Sequence, residues 1–287
     1  MDRMRIGLIP NPDKDHGFKK TLQVAHEIMT LGGAAILDGK YQNDITVQSC
    51  DVQFDSYKTC DLLMCLGGDG TFLTAVHDNL SQDKPIIGVN LGSVGFLVDI
   101  KPENTLQALS QIFKGEYQIE KRMLLDSTCY SRDGVKKVQA LSLNDLVVTR
   151  GGISRILNLD LFIDHVLVEK LPGDGVIIST PTGSTAYSLS AGGPIIEPTL
   201  EIILITPLNP HTLHNRSYVV APDSHVEIII KEYPFNPLLT SDGVHICTLD
   251  ELDRIVVTKS STSMNLIKLK KGNFYESLTT KIYARGI

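Results

Sequence analysis

Residues 62–76 read LLMCLGGDGTFLTAV. An unbroken apolar run is ended by two glycines, and after Thr71 the apolar Phe72, Leu73, Val76 and Leu80 return at roughly helical spacing. This is the pattern of strand, tight turn and helix, a layout that aims backbone N–H groups and the positive end of a helix dipole at an anion. The chemistry it suggests is that of phosphate. Asp69 in the middle of the turn complicates the picture, because a carboxylate repels phosphate. Two readings stand. Asp69 is a turn former or helix N-cap, a role aspartate fills well. Alternatively it faces a hydroxyl that is to receive a phosphoryl group, orienting it and accepting its proton while Mg²⁺ offsets the repulsion.

Three further segments carry groups that could bind or react. In GVNLGSVGFL, residues 88–97, Gly92 and Gly95 permit close backbone packing, and Phe96 either walls a base or sits in the core. LPGDGVIISTPTGSTAYSLSAGGPI, residues 171–195, places an apolar run between Gly-Asp-Gly and a dense series of hydroxyl residues. Small hydroxyls offer donors and acceptors at close range, suited to ribose and phosphate, and the Tyr187 ring adds a flat apolar surface. NDLV at 144–147 sets an amide beside a carboxylate at the start of a strand. Neighbours on a strand point opposite ways, so Asn144 and Asp145 together imply a strand end or an Asx turn. His211 and His214 lack a third ligand at metal-site spacing and read as a solvated or satisfied pair.

The elements that must position these groups change character along the chain. RIGLIP, TVQSCDV, LLMCL and PIIGVN read as strands, and GFKKTLQVAHEIMTLGG and TLQALSQIFKGEY as helices stopped by glycine. On the first helix Leu22, Ala25, Ile28, Met29 and also Val24 are expected on the buried side. Alternating strand and helix implies a parallel, Rossmann-like sheet over residues 1–120. From 121 to 265 the grammar is that of strands. An Asp-Gly turn joins two of them near residue 133, and in RILNLDLFIDHVLVEK Leu157, Leu159, Leu161 and Ile163 share one face. The expectation is an all-β, sandwich-like domain, followed over 266–287 by a helical tail that packs on the first domain.

Bulk composition narrows the function classes. For 287 residues, 42% hydrophobic and 21% charged, a globular protein of two domains is expected. A net charge of −6 argues against non-specific binding to nucleic acid or an anionic membrane surface. No apolar stretch reaches the roughly 18 residues of a membrane span, and MDRMRIGLIPNPDKD meets charge and proline too soon for a signal-peptide core. A cytoplasmic protein is the expectation. Five cysteines without a CxxC pair suggest neither a disulfide scaffold nor a zinc site.

Taken together, GGDGT at 67–71, NLGSVGFL at 90–97, ND at 144–145, GDGVIISTPTGSTAYSLSAGGPI at 173–195, PHTLHNRSYVV at 210–220 and SDG at 241–243 resemble the NAD kinase family over essentially the whole chain. GGDGT alone is shared with lipid kinases and, more distantly, phosphofructokinases; the long third segment is the specific one. The resemblance implies transfer of a phosphoryl group from ATP or polyphosphate to the 2′-hydroxyl of the adenosine ribose of NAD, with Mg²⁺ accompanying the donor and no dedicated protein metal site. It implies Asp69 as the catalytic base. Gly67, Gly68, Gly70 and Thr71 would form the donor-phosphate loop. Asp69, Gly70, Phe96, Asn144, Asp145, Arg155, Asp174, Thr185, Ala186, Tyr187, Ser188, Leu189 and Ser190 would bind NAD. A homodimer or homotetramer is implied, with neither nucleic acid nor membrane as partner. Two departures stand out: Asp145 where the family usually has Glu, and Val244 where it often has Gln. A lipid kinase would be expected to show a basic amphipathic helix or an anchor, and this acidic sequence shows neither. A silent NAD-binding sensor would differ by binding NAD without forming product.

Overall fold

The computed structural model describes residues 3–44, 51–80, 83–92, 95–152, 155–212, 215–231, 233–269 and 274–285. The chain forms two compact units, one of residues 1–121 with 264–287 and one of residues 122–263.

In the first unit the elements run β1 (Arg5–Pro10), α1 (Lys19–Thr30), β2 (Ala34–Leu37), β3 (Val52–Phe54), β4 (Leu62–Gly67), α2 (Asp69–Asn79), β5 (Ile86–Asn90) and α3 (Thr105–Phe113). The strands pair in parallel in the order β5-β4-β1-β2-β3. Every residue of β4 is buried, as expected for a parallel strand covered on both faces. The core gathers Ile6, Leu8, Met64, Leu66 and Val89 from the sheet with Val24, Ile28, Leu109 and Ile112 from the helices. Each such side chain contributes about 1.5–3 kcal/mol on burial. Of the TVQSCDV strand expected from sequence, residues 46–50 lie outside the described residues, as do Cys50 and His214.

One helix face needs correction. On α1 the buried positions are Thr21, Val24, Ala25 and Ile28, whereas Met29 is 40% exposed and Leu22 only partly covered. The stripe follows i, i+3, i+4, i+7 from residue 21, and Met29 falls one step past its edge. Thr21 is drawn inward by a hydrogen bond, its hydroxyl donating to Asp15 at 2.6 Å.

The second unit contains β6 (Gln118–Tyr130, entering from the first), β7 (Lys136–Ser142), β8 (Asp145–Thr149), β9 (Leu157–Ile163), β10 (Val166–Gly173), β11 (Gly175–Ser179), the short α4 (Tyr187–Ser190), β12 (Ile203–Leu208), β13 (Tyr218–Val220), β14 (Val226–Ile230), β15 (Leu238–Ser241), β16 (Val244–Thr248) and β17 (Arg254–Lys268). Two antiparallel sets dominate, β10-β9-β14-β17 and β13-β12-β11-β8-β15-β16. Their shared core draws Leu159, Leu161 and Ile228 from one set and Val148, Ile178 and Ile205 from the other, as in a sandwich. β11 is buried on both faces, because Ile177 packs oppositely against Val147 and Leu208. The end of β17 belongs to the first unit, where Leu266 pairs in parallel with Ile86 of β5. Helix α5 (Phe274–Arg285) closes the chain.

Candidate active site

The GGDG turn is built by β4 stopping at Gly67 and α2 beginning at Asp69, with Gly68 as N-cap. A Cβ on Gly67 would collide with the Thr71 side chain, so glycine is what lets the helix fold back on the strand end. Thr71 is held from the other side, its hydroxyl accepting a hydrogen bond from the Asn11 amide at 2.7 Å.

Asp69 turns its carboxylate toward the segment after β5. One oxygen accepts the backbone N–H of Phe96 at 2.7 Å; the other accepts those of Leu97 and Val98 at 3.1 and 3.3 Å. A Cβ on Gly95 would run into that carboxylate, which accounts for the second glycine of NLGSVGF. A carboxylate offers about four lone-pair sites. Three are taken, so the group is oriented firmly and still has capacity for one further donor.

Lys14 occupies the other side of the turn. Its Nζ lies 2.8 Å from where a Cβ would stand on Gly68 and equally 2.8 Å from one on Gly92. The two glycines therefore leave room for an ammonium between the turn and the loop after β5. Among the described residues this ammonium makes no hydrogen bond or ion pair. A cation beside the N-terminus of α2 faces the positive end of the helix dipole, an arrangement that favours an anion between them. A cavity of about 490 Å³ opens here, lined among others by Asn11, Lys14, Lys40, Gly70, Thr71 and Asp78. No group of three or more carboxylate, His or Cys side chains suited to a metal occurs among the described residues.

In the second unit Asn144 and Asp145 open β8, and the hairpin between β15 and β16 holds them. Asp242 and Gly243 both have positive φ (48° and 80°), the requirement of a two-residue turn between Ser241 and Val244. The Asp242 carboxylate accepts the N–H groups of Leu143, Asn144 and Asp145 at 2.8, 2.7 and 3.0 Å. Its own N–H donates to the Asp145 carbonyl at 2.9 Å. Asp145 is 5% exposed, and its carboxyl is pushed up to about 7 by burial and by the neighbouring Asp242 charge, against a Tyr187 N–H that pulls it down.

The hydroxyl-rich segment divides in two. Ser184, Thr185 and Ser188 are buried and bonded internally: Ser184 to the Pro181 carbonyl at 2.7 Å, Thr185 to that of Thr182 at 3.3 Å, and Ser188 to the Thr206 hydroxyl at 3.0 Å. Ala186 and Leu189 are half-buried, while Tyr187 is 46% exposed and Ser190 is also open. Many of these hydroxyls therefore shape the loop from inside. Thr180 is one, tying the loop to the site by donating to the Leu143 carbonyl at 2.6 Å. Asp174, between β10 and β11, pairs with Arg150 at 2.9 Å and accepts from Asn209 at 2.9 Å. Arg155 is exposed just before β9. Phe96 is half-buried, with the Lys281 ammonium 5.4 Å from its ring centroid.

Sequence reasoning missed Lys14, and it counted Asp242 only as part of a matching tripeptide. A lysine in a proline-rich loop carries no sequence signal of its own. Asp242-Gly243 did signal a turn, but not which N–H groups its carboxylate would reach about 100 residues away in the chain.

Comparison with known proteins agrees with this layout. Residues 6–117 match the ATP-NAD kinase N-terminal domain and residues 143–269 the ATP-NAD kinase C-terminal domain. An NAD kinase of Acetivibrio thermocellus is 39% identical over 285 residues, covering 99% of this chain and 98% of its own. One of Ruminiclostridium cellulolyticum is 40% identical over 286 residues, with 98% of each chain covered. Among solved structures, yeast NADH kinase complexed with NADH superposes with a TM-score of 0.89 at 23% identity, covering 100% of this chain and 89% of that one. An NAD kinase from Archaeoglobus fulgidus in complex with ATP gives 0.75 at 25% identity, covering 98% and 99%. With both domain models matched in order and relatives aligned almost end to end, the chain belongs to the NAD kinase family and is a phosphotransferase acting on NAD.

Proposed function

We propose that the enzyme transfers the terminal phosphoryl group of ATP, or of polyphosphate, to the 2′-hydroxyl of the adenosine ribose of NAD, with Asp69 as the base. The observation that carries this reading is the fixed Asp69 carboxylate, which retains hydrogen-bonding capacity beside a turn flanked by Lys14. Asp69 accepts the proton of the 2′-hydroxyl as its oxygen bonds to phosphorus, and the bond from phosphorus to the donor's bridging oxygen breaks, leaving ADP or a polyphosphate one unit shorter. Gly67, Gly68, Gly70 and Thr71 approach the donor phosphates through backbone and hydroxyl, and Lys14 supplies the positive charge. Mg²⁺ accompanying the donor would supply positive charge against the phosphates.

NAD is held by Asn144 and Asp145 at its amide and ribose, with Asp174, Arg155, Phe96 and the stretch Thr185, Ala186, Tyr187, Ser188, Leu189 and Ser190 completing the contacts. In this assignment Tyr187 offers its exposed ring, while Thr185 and Ser188 act by shaping the loop. The assembly is a homodimer or homotetramer working in the cytoplasm. Among the described residues no helix is long and apolar enough to cross a membrane. The test is a coupled assay for NADP formation from NAD, with ATP and Mg²⁺, polyphosphate and NADH run in parallel. Product with one donor supports the reading and fixes the donor. NAD binding without product under every condition would replace it with a sensor.

A further inference from the structure

The segment that orients Asp69 is itself braced from the C-terminal helix. Residues 96–98 supply the three N–H groups, and the next residue, Asp99, carries two ammonium groups: Lys268 of β17 at 2.5 Å and Lys281 of α5 at 2.6 Å. Lys281 is only 9% exposed and also sits over the ring of Phe96. It therefore grips the segment at both ends, by charge at Asp99 and by cation–π attraction at Phe96. The backbone is anchored again at Ile100, which donates its N–H to the Gly88 carbonyl and accepts the N–H of Asn90.

We propose that Lys281 is a positioning residue for the transfer reaction, acting through Asp99 and Phe96 to hold the N–H groups that aim the Asp69 carboxylate. The proposal rests on the reading of Asp69 as the base. Lys268 touches Asp99 without the ring contact, so its loss leaves half of the brace in place. The C-terminal helix is thus a working part of the active site.

The test compares Lys281→Met, Lys281→Arg and Lys268→Met in the full-length enzyme by steady-state kinetics and by amide exchange at Phe96 and Leu97. For Lys281→Met, kcat falls about tenfold while KM for the donor stays within about twofold, as a misaimed group with intact donor binding requires. Exchange at the two amides quickens about tenfold as the segment opens locally. Lys281→Arg recovers most of both effects, and Lys268→Met shows a smaller version. In an Asp69→Asn background, Lys281→Met lowers kcat no further. Should Lys281→Met fail to fold, Asp99→Asn takes its place with the same expectations.

Unchanged amide exchange overturns the brace whatever the turnover. Faster exchange with unchanged kcat overturns its part in the reaction. Normal turnover by Asp69→Asn alone removes the base reading, and the kinetic claim for Lys281 falls with it; the exchange rates then decide the brace separately.

Discussion

Two carboxylates in different units make the same set of bonds. Asp69 gathers the N–H groups of Phe96, Leu97 and Val98, and Asp242 gathers those of Leu143, Asn144 and Asp145. Each pins three consecutive residues of a segment remote in sequence. What lies on the far side differs. Around the turn that carries Asp69 stand a helix N-terminus, the Lys14 ammonium at Gly68 and, at Gly70 and Thr71, an open cavity. Beside Asp242 stands a buried acid, Asp145. One hydrogen-bonding device therefore serves two ends. Where the neighbourhood is open and holds an ammonium, the bound carboxylate keeps capacity for one further donor, as the proposed base requires. Where it is acidic and closed, the carboxylate is an organiser that presents other residues.

The same substitution at both positions breaks or sharpens this comparison. Asp69→Asn cuts kcat by about 10²–10⁴, the range for loss of a general base, with the fold retained; assays of NADP formation alongside circular dichroism check it. Near-normal turnover would make Asp69 an organiser like Asp242. Asp242→Ala, in contrast, acts first on stability, removing charge-assisted bonds for a net loss of about 1.5–3 kcal/mol, read from urea unfolding. Its KM for NAD rises because the turn carrying Asn144 and Asp145 loosens. An Asp242→Ala variant with wild-type stability and NAD affinity would remove its organising role.

Lys14→Met is the next largest effect: KM for the donor rises about tenfold, the scale of one lost charge-assisted contact, with KM for NAD unchanged. Equal donor KM in both proteins would empty the anion site of its meaning. A further effect is a pH dependence from Asp145. Its carboxyl is raised from 3.8 in the unfolded chain to about 7 in the fold, so its protonated form is the one that folding favours. The stability it adds is complete below about pH 4 and is lost as pH rises through about 7. Unfolding midpoints measured from pH 5 to 8 should decline in the wild type and decline less in Asp145→Asn. Parallel curves would place the titration elsewhere.

How much of this was legible beforehand varies with the range of the interaction. β4, α2 and the paired Asn144–Asp145 at a strand end could be read from local pattern, because burial and turn chemistry act over a few residues. The two-domain plan came from the shift between 3.6-residue and two-residue periodicity. That Gly95 permits close packing could be read, but not what packs on it, since that is a carboxylate 26 positions earlier. Hydroxyls such as Ser184 and Ser188 look the same in sequence whether they face a ligand or the loop's own carbonyls. Met29 shows the limit of the helical stripe: hydrophobicity names the candidates, and only packing decides which edge residue goes under.

The Lys14 ammonium, unpaired among the described residues, bears on how long the enzyme survives as well as on what it binds. The ammonium and the N-terminus of α2 both flank the GGDG turn, so a polyanionic donor bound there, as proposed, would stabilise the native state by linkage. The native state therefore deepens with donor supply. On that reading the unfolding midpoint rises with donor concentration, and Lys14→Met weakens the rise.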